Sequence, residues 1–271
     1  MKKTSILIGL LIVSGLINAQ TKVTSSLFGV MEARALGSAT MSGRITSIDG
    51  VIADEGKTIY IGTAGGGVLK STSAGVSSKP VFDKYCQSIG SLAIDQKNPQ
   101  VIYVGTGESN MRNSVSIGDG IYKSTDGGDN WKKIGLDSTE HISKIVLNPL
   151  NSNEIYVAAP GPLWSDSKHR GLYKSGDGGA TWQKILYIDE HTGCADLLMD
   201  PAHPEILLAS TWQFRRTPYS FNSGGNGSGL YKSEDAGKTW REIKNGLPAK
   251  PFGRIAMCLA PSDPKQMFAI V

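Results

Sequence analysis

Gly120-Ile-Tyr-Lys-Ser-Thr-Asp-Gly-Gly-Asp-Asn-Trp131 is a phrase that returns twice, as Gly171-Leu-Tyr-Lys-Ser-Gly-Asp-Gly-Gly-Ala-Thr-Trp182 and Gly229-Leu-Tyr-Lys-Ser-Glu-Asp-Ala-Gly-Lys-Thr-Trp240. Asp126, Asp177 and Asp235 recur at intervals of 51 and 58 residues, the mark of a repeat architecture. Each copy reads as a hairpin. Ile121 and Lys123 alternate in face with Tyr122 and Ser124, as a short strand requires. Asp126, Gly127 and Gly128 are the residues of a tight turn, where a carboxylate can accept from backbone N–H groups and glycine tolerates φ > 0. Trp131 then opens the returning strand with a large apolar body to pack against the sheet.

Outward from these turns the same order of elements repeats. Ile89–Ile94, Val101–Thr106 and the first phrase make one unit; Ile142–Leu147, Glu154–Ala158 and the second phrase make the next. Asp196–Met199, Ile206–Thr211 and the third phrase follow, with a loop through Ser228 between the last two. Asn/Asp-Pro turns at Asn98-Pro99, Asn148-Pro149 and Asp200-Pro201 join the first two strands of each unit. Arg44–Ile48, Thr58–Thr63 and Gly65–Ser71 form a degenerate first unit, in which Thr72-Ser-Ala-Gly75 replaces the Asp-Gly turn. Four strands in ~40–50 residues are the blade of a β-propeller. The fold class expected is therefore all-β: an incomplete ring of about four and a half blades. They lie near 44–85, 86–140, 141–192, 193–250 and, in part, 251–271. Val271 falls inside an apolar second strand, so the remaining blades are expected in a longer chain.

Met1–Ala19 reads as a secretory signal: Lys2 and Lys3, an apolar run from Ile6 to Ile17, and a small residue at Ala19. That run is too short to span a bilayer, which needs ~20 residues. The mature chain is thus expected to be secreted, periplasmic or at the cell surface, with no membrane span. The net charge of +4 includes both leading lysines, and the rest is too small and too dispersed for nucleic acid. Three cysteines, Cys86, Cys194 and Cys258, allow at most one disulfide, and Cys258 is expected to be a buried free thiol in its apolar run. No metal-ligand spacing is present, and neither a metal nor a cofactor is expected.

The three phrases resemble the Asp-box, Ser-x-Asp-x-Gly-x-Thr-Trp, also called the bacterial neuraminidase (BNR) repeat. Ser233-Glu-Asp-Ala-Gly-Lys-Thr-Trp240 matches it at every defined position. In that family the box is a structural turn away from the active face. The resemblance therefore implies structural roles for Asp126, Trp131, Asp177, Trp182, Asp235 and Trp240. Ser42-Gly-Arg-Ile-Thr46, Gly65–Lys70, Ile102–Glu108, Gly118–Gly128 and Gly253-Arg-Ile255 are similar to exported bacterial propellers of sortilin-like (VPS10-like) or WD40/YVTN/BNR-like type, often labelled glycosyl hydrolase. Two Asp-box enzyme families can be set against this sequence. Sialidases carry a Phe-Arg-Ile-Pro-type motif, against Gly43-Arg-Ile-Thr46 here. Xyloglucanase-like propellers carry a catalytic Asp in a first-blade segment that here reads Ile61-Gly-Thr-Ala-Gly-Gly66, with Ala64 at the Asp position. Neither set of catalytic residues carries over, and the catalytic residues are unknown.

Blade topology puts the box turns on the lower face and the irregular loops on the upper one, where binding is expected. Those loops hold Glu108 and Arg112; Trp164, Asp166, His169 and Arg170; and Trp212, Phe214, Arg215, Arg216 and Tyr219. Blade-to-blade loops add Glu140, His141, Asp189, Glu190 and His191, and Arg44 and Arg254 open two inner strands at the rim of the channel. The ligand-binding candidates are Arg44, Glu108, Arg112, Trp164, Arg170, Trp212, Arg215, Tyr219 and Arg254. The bland alternatives are an Arg44–Glu108 ion pair, loop residues packed between blades, and surface positions for His141 and His191. Aromatic faces flanked by arginine and carboxylates suit a glycan or a polypeptide. The function expected is an exported binding module. A glycoside hydrolase with carboxylates partly outside this stretch is the alternative, and a purely structural module is a third possibility.

Overall fold

The computed structural model describes residues 44–260 and 263–271; the signal-type segment Met1–Ala19 lies outside the described residues. Four antiparallel four-stranded sheets follow one another, and a two-stranded fifth succeeds them. The first holds β1 (Ile45–Gly50), β2 (Ile59–Thr63), β3 (Val68–Ser71) and β4 (Lys79–Pro80). The second holds β5 (Ile89–Ile94), β6 (Ile102–Thr106), β7 (Ile121–Ser124) and β8 (Lys132–Gly135), and the third holds β9 (Lys144–Leu147), β10 (Ile155–Ala159), β11 (Gly171–Ser175) and β12 (Gln183–Leu186). The fourth is β13 (Thr192–Met199), β14 (Leu207–Thr217), β16 (Gly229–Ser233) and β17 (Arg241–Ile243), with β15 (Ser220–Ser223) added to the upper half of β14. The fifth pairs β18 (Ala256–Ala260) with β19 (Asp263–Ile270). First strands of successive sheets lie side by side, which is the arrangement of propeller blades around a channel.

Strand alternation explains why the second strands read as unbroken apolar runs. In β10, Ile155, Val157 and Ala159 face the second blade, while Tyr156 and Ala158 face the fourth. A blade sandwiched between two others must bury both of its faces. Among the described residues both end blades bare an apolar face: Ile45 and Ile48 on β1, and Phe268 and Ile270 on β19, are exposed. That bare face corrects the expectation for Cys258. Met257 faces the core shared with the fourth blade, so Cys258 points the opposite way and is exposed. All three thiols are free.

The three box turns are built alike. Ser124, Ser175 and Ser233 are buried, and their hydroxyls accept from the N–H of Gly128, Gly179 and Gly237 at 2.8–2.9 Å. Asp126, Asp177 and Asp235 each accept that serine's hydroxyl proton and the N–H four residues on, of Asn130, Thr181 and Thr239. These bonds, from Asn130 in the first turn and the Thr181 and Thr239 hydroxyls in the others, hold all three carboxyls down to about 2. The degenerate turn keeps the same plan without a charge. Gly75 N–H donates to Ser71, and Ser73 accepts from Ser77 N–H as the aspartates do in the other turns.

Candidate functional site

The box turns define the lower face, and the loops opposite them define the upper one. Here each blade is different. The fourth blade stands out because β14 runs 11 residues and carries the β15 strand as a hairpin above the sheet. The sequence from Trp212 to Ser228 reads as a loop, but Gln213-Phe-Arg-Arg-Thr217 alternates and Thr217-Pro-Tyr-Ser220 is a turn. Inside the hairpin Trp212 stacks on Phe214 at 4.2 Å between ring centroids and meets Phe221 edge-on. Met111 and Val115 from the second blade's loop and Leu163 from the third's complete a small core under the upper face.

Several candidates belong to this support rather than to an open surface. Trp212 is 3% exposed and its Nε1 donates to Ser223, which removes it from the set of ligand contacts. Arg170 is wholly buried, a second correction. It donates to the carbonyls of Pro160, Pro162 and Ser165, and its guanidinium lies 4.4 Å from the Phe214 ring centroid. Burial without a bonded carboxylate pulls its pKa down to about 10. Glu108 is 1% exposed and forms a two-point ion pair with Arg44, whose Nε donates at 2.9 Å. Arg254 reaches across to the second blade's loop, donating to the Ser109 carbonyl at 2.8 Å, with its guanidinium 5.4 Å from the Trp212 ring centroid.

His141 differs from the surface position expected of it. It has no exposed surface, and neither ring nitrogen has a hydrogen-bond partner. Burial pushes it down to about 4; the Gly107–Glu108 backbone nearby favours the proton, but not at bonding geometry, and burial prevails. The connection leading into it is strained, with Leu136 at φ 58° and Glu140 at φ 57°, ψ −37°.

What remains open to solvent is a cleft of about 410 Å³ on the fourth blade. His191, Gln213 and Arg215 line one side, Phe221, Asn222 and Ser223 the hairpin side, and Pro251–Gly253 the far wall. Asp166 joins the first group, bonded to His191 Nδ1 at 2.9 Å and to Arg215 Nη1. Trp164 and Tyr219 are 44% and 91% exposed and are not among the residues lining this cleft. Their loops meet where Arg216 N–H donates to the Leu163 carbonyl at 3.0 Å. Arg112 is exposed on the second blade's loop. The fold thus joins the loop of Trp164 to the hairpin of Arg215 and Tyr219 through the Arg216–Leu163 and Arg215–Asp166 bonds. Phe221, Asn222 and Phe252 enter the site only through the hairpin and the return from β17; alternation around Phe221 is the one signal that could have found them. Among the described residues no cluster of His, Cys, Asp and Glu could hold a metal ion, and no helix is long and apolar enough to cross a membrane.

The carboxylates of the channel side are committed. Asp49 accepts from Ile94 N–H of the next blade and Asp196 from Met257 N–H, both at 2.9 Å. Of the upper-face carboxylates, Glu108 is paired with Arg44 and Asp166 with Arg215, while burial raises the pKa of Glu140.

Comparison with known proteins agrees with this architecture. The family model described as Sortilin-Vps10 (Sortilin, neurotensin receptor 3) matches residues 119–268. A xyloglucanase of Hypocrea jecorina is 27% identical over 206 residues, 74% of this chain and 20% of that protein. One from a Paenibacillus species is 25% identical over 238 residues, 76% and 21% respectively. The chain thus spans about a fifth of the length of these relatives. Among solved structures, an ancestral GH74 enzyme superposes with a TM-score of 0.63 at 19% identity, covering 82% of this chain and 28% of that one. The GH74 xyloglucanase of Xanthomonas campestris gives 0.58 at 21% identity, covering 80% and 34%. At these identities the likeness speaks for the fold.

Proposed function

The chain belongs to the Sortilin-Vps10 family, and from that premise we propose that it is an exported β-propeller module that binds a glycan chain on its upper face. The observation that carries this is the exposure of Trp164 and Tyr219 on two upper-face loops that meet at the Arg216–Leu163 hydrogen bond and the Asp166–Arg215 ion pair. A flat aromatic ring offers an apolar face to a sugar ring, and Gln213 and Arg215, held by Gly227 N–H and Asp166, with Asn222 in the same cleft, offer donors and acceptors to its hydroxyls. The support beneath is rigid: a stacked Trp212–Phe214 pair and a buried Arg170 with three carbonyl partners. Export is supported by the signal-type segment at Met1–Ala19. Titrating the protein with xyloglucan oligosaccharides by calorimetry tests the proposal. Saturable binding is expected, at least tenfold weaker in a Trp164→Ala/Tyr219→Ala double variant (about 1.4 kcal/mol). Absence of saturation across a panel of neutral and acidic glycans, or binding indifferent to both changes, would remove it.

A second reading, glycoside hydrolysis, is favoured by the xyloglucanase relatives. It requires an acid/base pair, and Ala64 stands where the xyloglucanase-like motif carries its catalytic Asp. Release of reducing ends from xyloglucan by this chain alone would establish it in place of simple binding.

A further inference from the structure

The joint between the third and fourth blades departs from the two before it. Trp131 and Trp182 close theirs by donating from Nε1 to carbonyls of the preceding blade, those of Val81 and Ile134. Trp240 packs against the core of the third blade, but its Nε1 donates to Gly237 of its own turn, at 3.2 Å. A groove of about 450 Å³ lies open at this joint, between the outer strand β12 and the turn at Ala236–Lys238. Lys174, Lys184 and Lys238 line it together with Trp182 and Gln183, and none of its lining residues is acidic.

The charge of this groove also breaks the repeat. Lys133 holds the position of Lys184 one blade earlier, opposite the tyrosine of the third strand, and it is paired with Asp119 and Asp137. The turn position of Lys238 is Asp129 in the first box and Ala180 in the second. Of the three groove lysines, only Lys174 has an ion-pair partner among the described residues, Glu154. Lys184 Nζ donates to the Lys168 carbonyl and lies 4.4 Å from the Tyr187 ring centroid. Burial, and then the neighbouring Lys168 ammonium, pull the Lys184 pKa below its usual value. A cation held beside a second cation, with a carbonyl and a ring for partners, is stabilised by any anion that enters the groove.

We propose that this groove binds an acidic oligosaccharide, its carboxylates on Lys184 and Lys238 and a sugar ring against the open side of Trp182. Two unpaired ammonium groups suit the sparse charges of such a chain rather than the dense phosphate backbone of a nucleic acid. Gln183, exposed on β12, supplies a donor and an acceptor for hydroxyls. The groove shares no lining residue with the upper-face cleft, and the inference does not depend on the reading of that cleft.

Calorimetric titration with oligogalacturonate tests it, with the neutral methyl ester of the same oligosaccharide as the control. Saturable binding of the acid is expected, weakening roughly tenfold between about 20 and 200 mM salt as the ammonium contacts are screened. Lys184→Gln/Lys238→Gln should lower the affinity roughly fivefold or more with the urea midpoint unchanged. Trp164→Ala/Tyr219→Ala should leave it as it was. No binding of the acid, equal binding of the ester, or indifference to the lysine pair overturns the proposal. So does loss of binding in the Trp164/Tyr219 variant, which would move the acidic ligand to the upper face. Equal competition by single-stranded DNA of the same charge overturns it too, because the groove would then accept any polyanion.

Discussion

The lower and upper faces of this molecule solve the same problem, ending a strand and starting another, in opposite ways. Below, one solution is repeated: a buried serine, a carboxylate accepting several hydrogen bonds, and a tryptophan closing onto the preceding blade. Above, every loop is different, and polar groups are less completely satisfied. Of the six buried side-chain polar atoms without a partner among the described residues, five are on upper-face segments: both nitrogens of His141 and one atom each of Arg170, Thr192 and Arg216. Positive φ at non-glycine residues does not separate the faces: Leu136 and Glu140 are above, and Glu55, Ala74 and Ala236 are in the turns below. A repeated turn can be optimised once for stability and copied. A face that must present particular side chains accepts desolvation where it does so.

The largest effect expected of any single change contrasts the two faces directly. Trp131→Ala removes an 8%-exposed indole from the joint between the first two blades and should cost about 3–5 kcal/mol in urea unfolding. Trp164→Ala, on the open upper surface, should stay within about 0.5 kcal/mol. Similar losses for both would break the distinction. Acid should separate the faces next. His141, with its pKa lowered to about 4 when folded, takes up its proton more readily in the unfolded chain. Stability is therefore lost as pH falls from about 6.5 to 4, by about 3 kcal/mol in all. The box aspartates, held at about 2, contribute stability that is present above their unfolded pKa near 4 and is lost only below it. Urea midpoints measured against pH should thus show two zones of decline, and His141→Leu should flatten the upper one alone. A single decline below pH 4 in the unmodified protein would assign the acid response to the lower face.

Smaller effects sharpen the account of the turn itself. Ser233→Ala leaves the Gly237 N–H without its acceptor inside the third box and should cost about 1–2 kcal/mol. The least change is expected from Ser73→Asp, which gives the degenerate turn the carboxylate of its siblings. A gain of about 0.5 kcal/mol or less in urea unfolding is expected, because Ser73 already accepts the Ser77 N–H. A loss would mean that the first turn is not a variant of the same structure.

The lower face was legible because its information is local. Ser, Asp, Gly and Trp stand within eight residues of one another, and each performs its role on its neighbours in sequence. The upper face was legible only as a set of residue types. Trp164 and Trp212 look alike in the sequence, yet one is open and the other is stacked on Phe214 under a hairpin. Arg170 and Arg215 are also indistinguishable there, but one is sealed beneath carbonyl oxygens and the other lines the cleft. Cys258 is exposed and His141 buried, against their local sequence patterns, for the same reason. Which side of a strand faces another blade, and which faces nothing, depends on neighbours far away in the chain.

The sequence by itself determined the repeat, the turn chemistry, and hence the all-β blades and their order, because those follow from hydrogen bonds and periodicities spanning a few residues. The tertiary structure alone decided which arginines and aromatics are support and which are surface. Burial is a property of contacts between segments 45 to 145 residues apart, such as Ser47 with Leu92 and Arg254 with Ser109, and no local pattern encodes it.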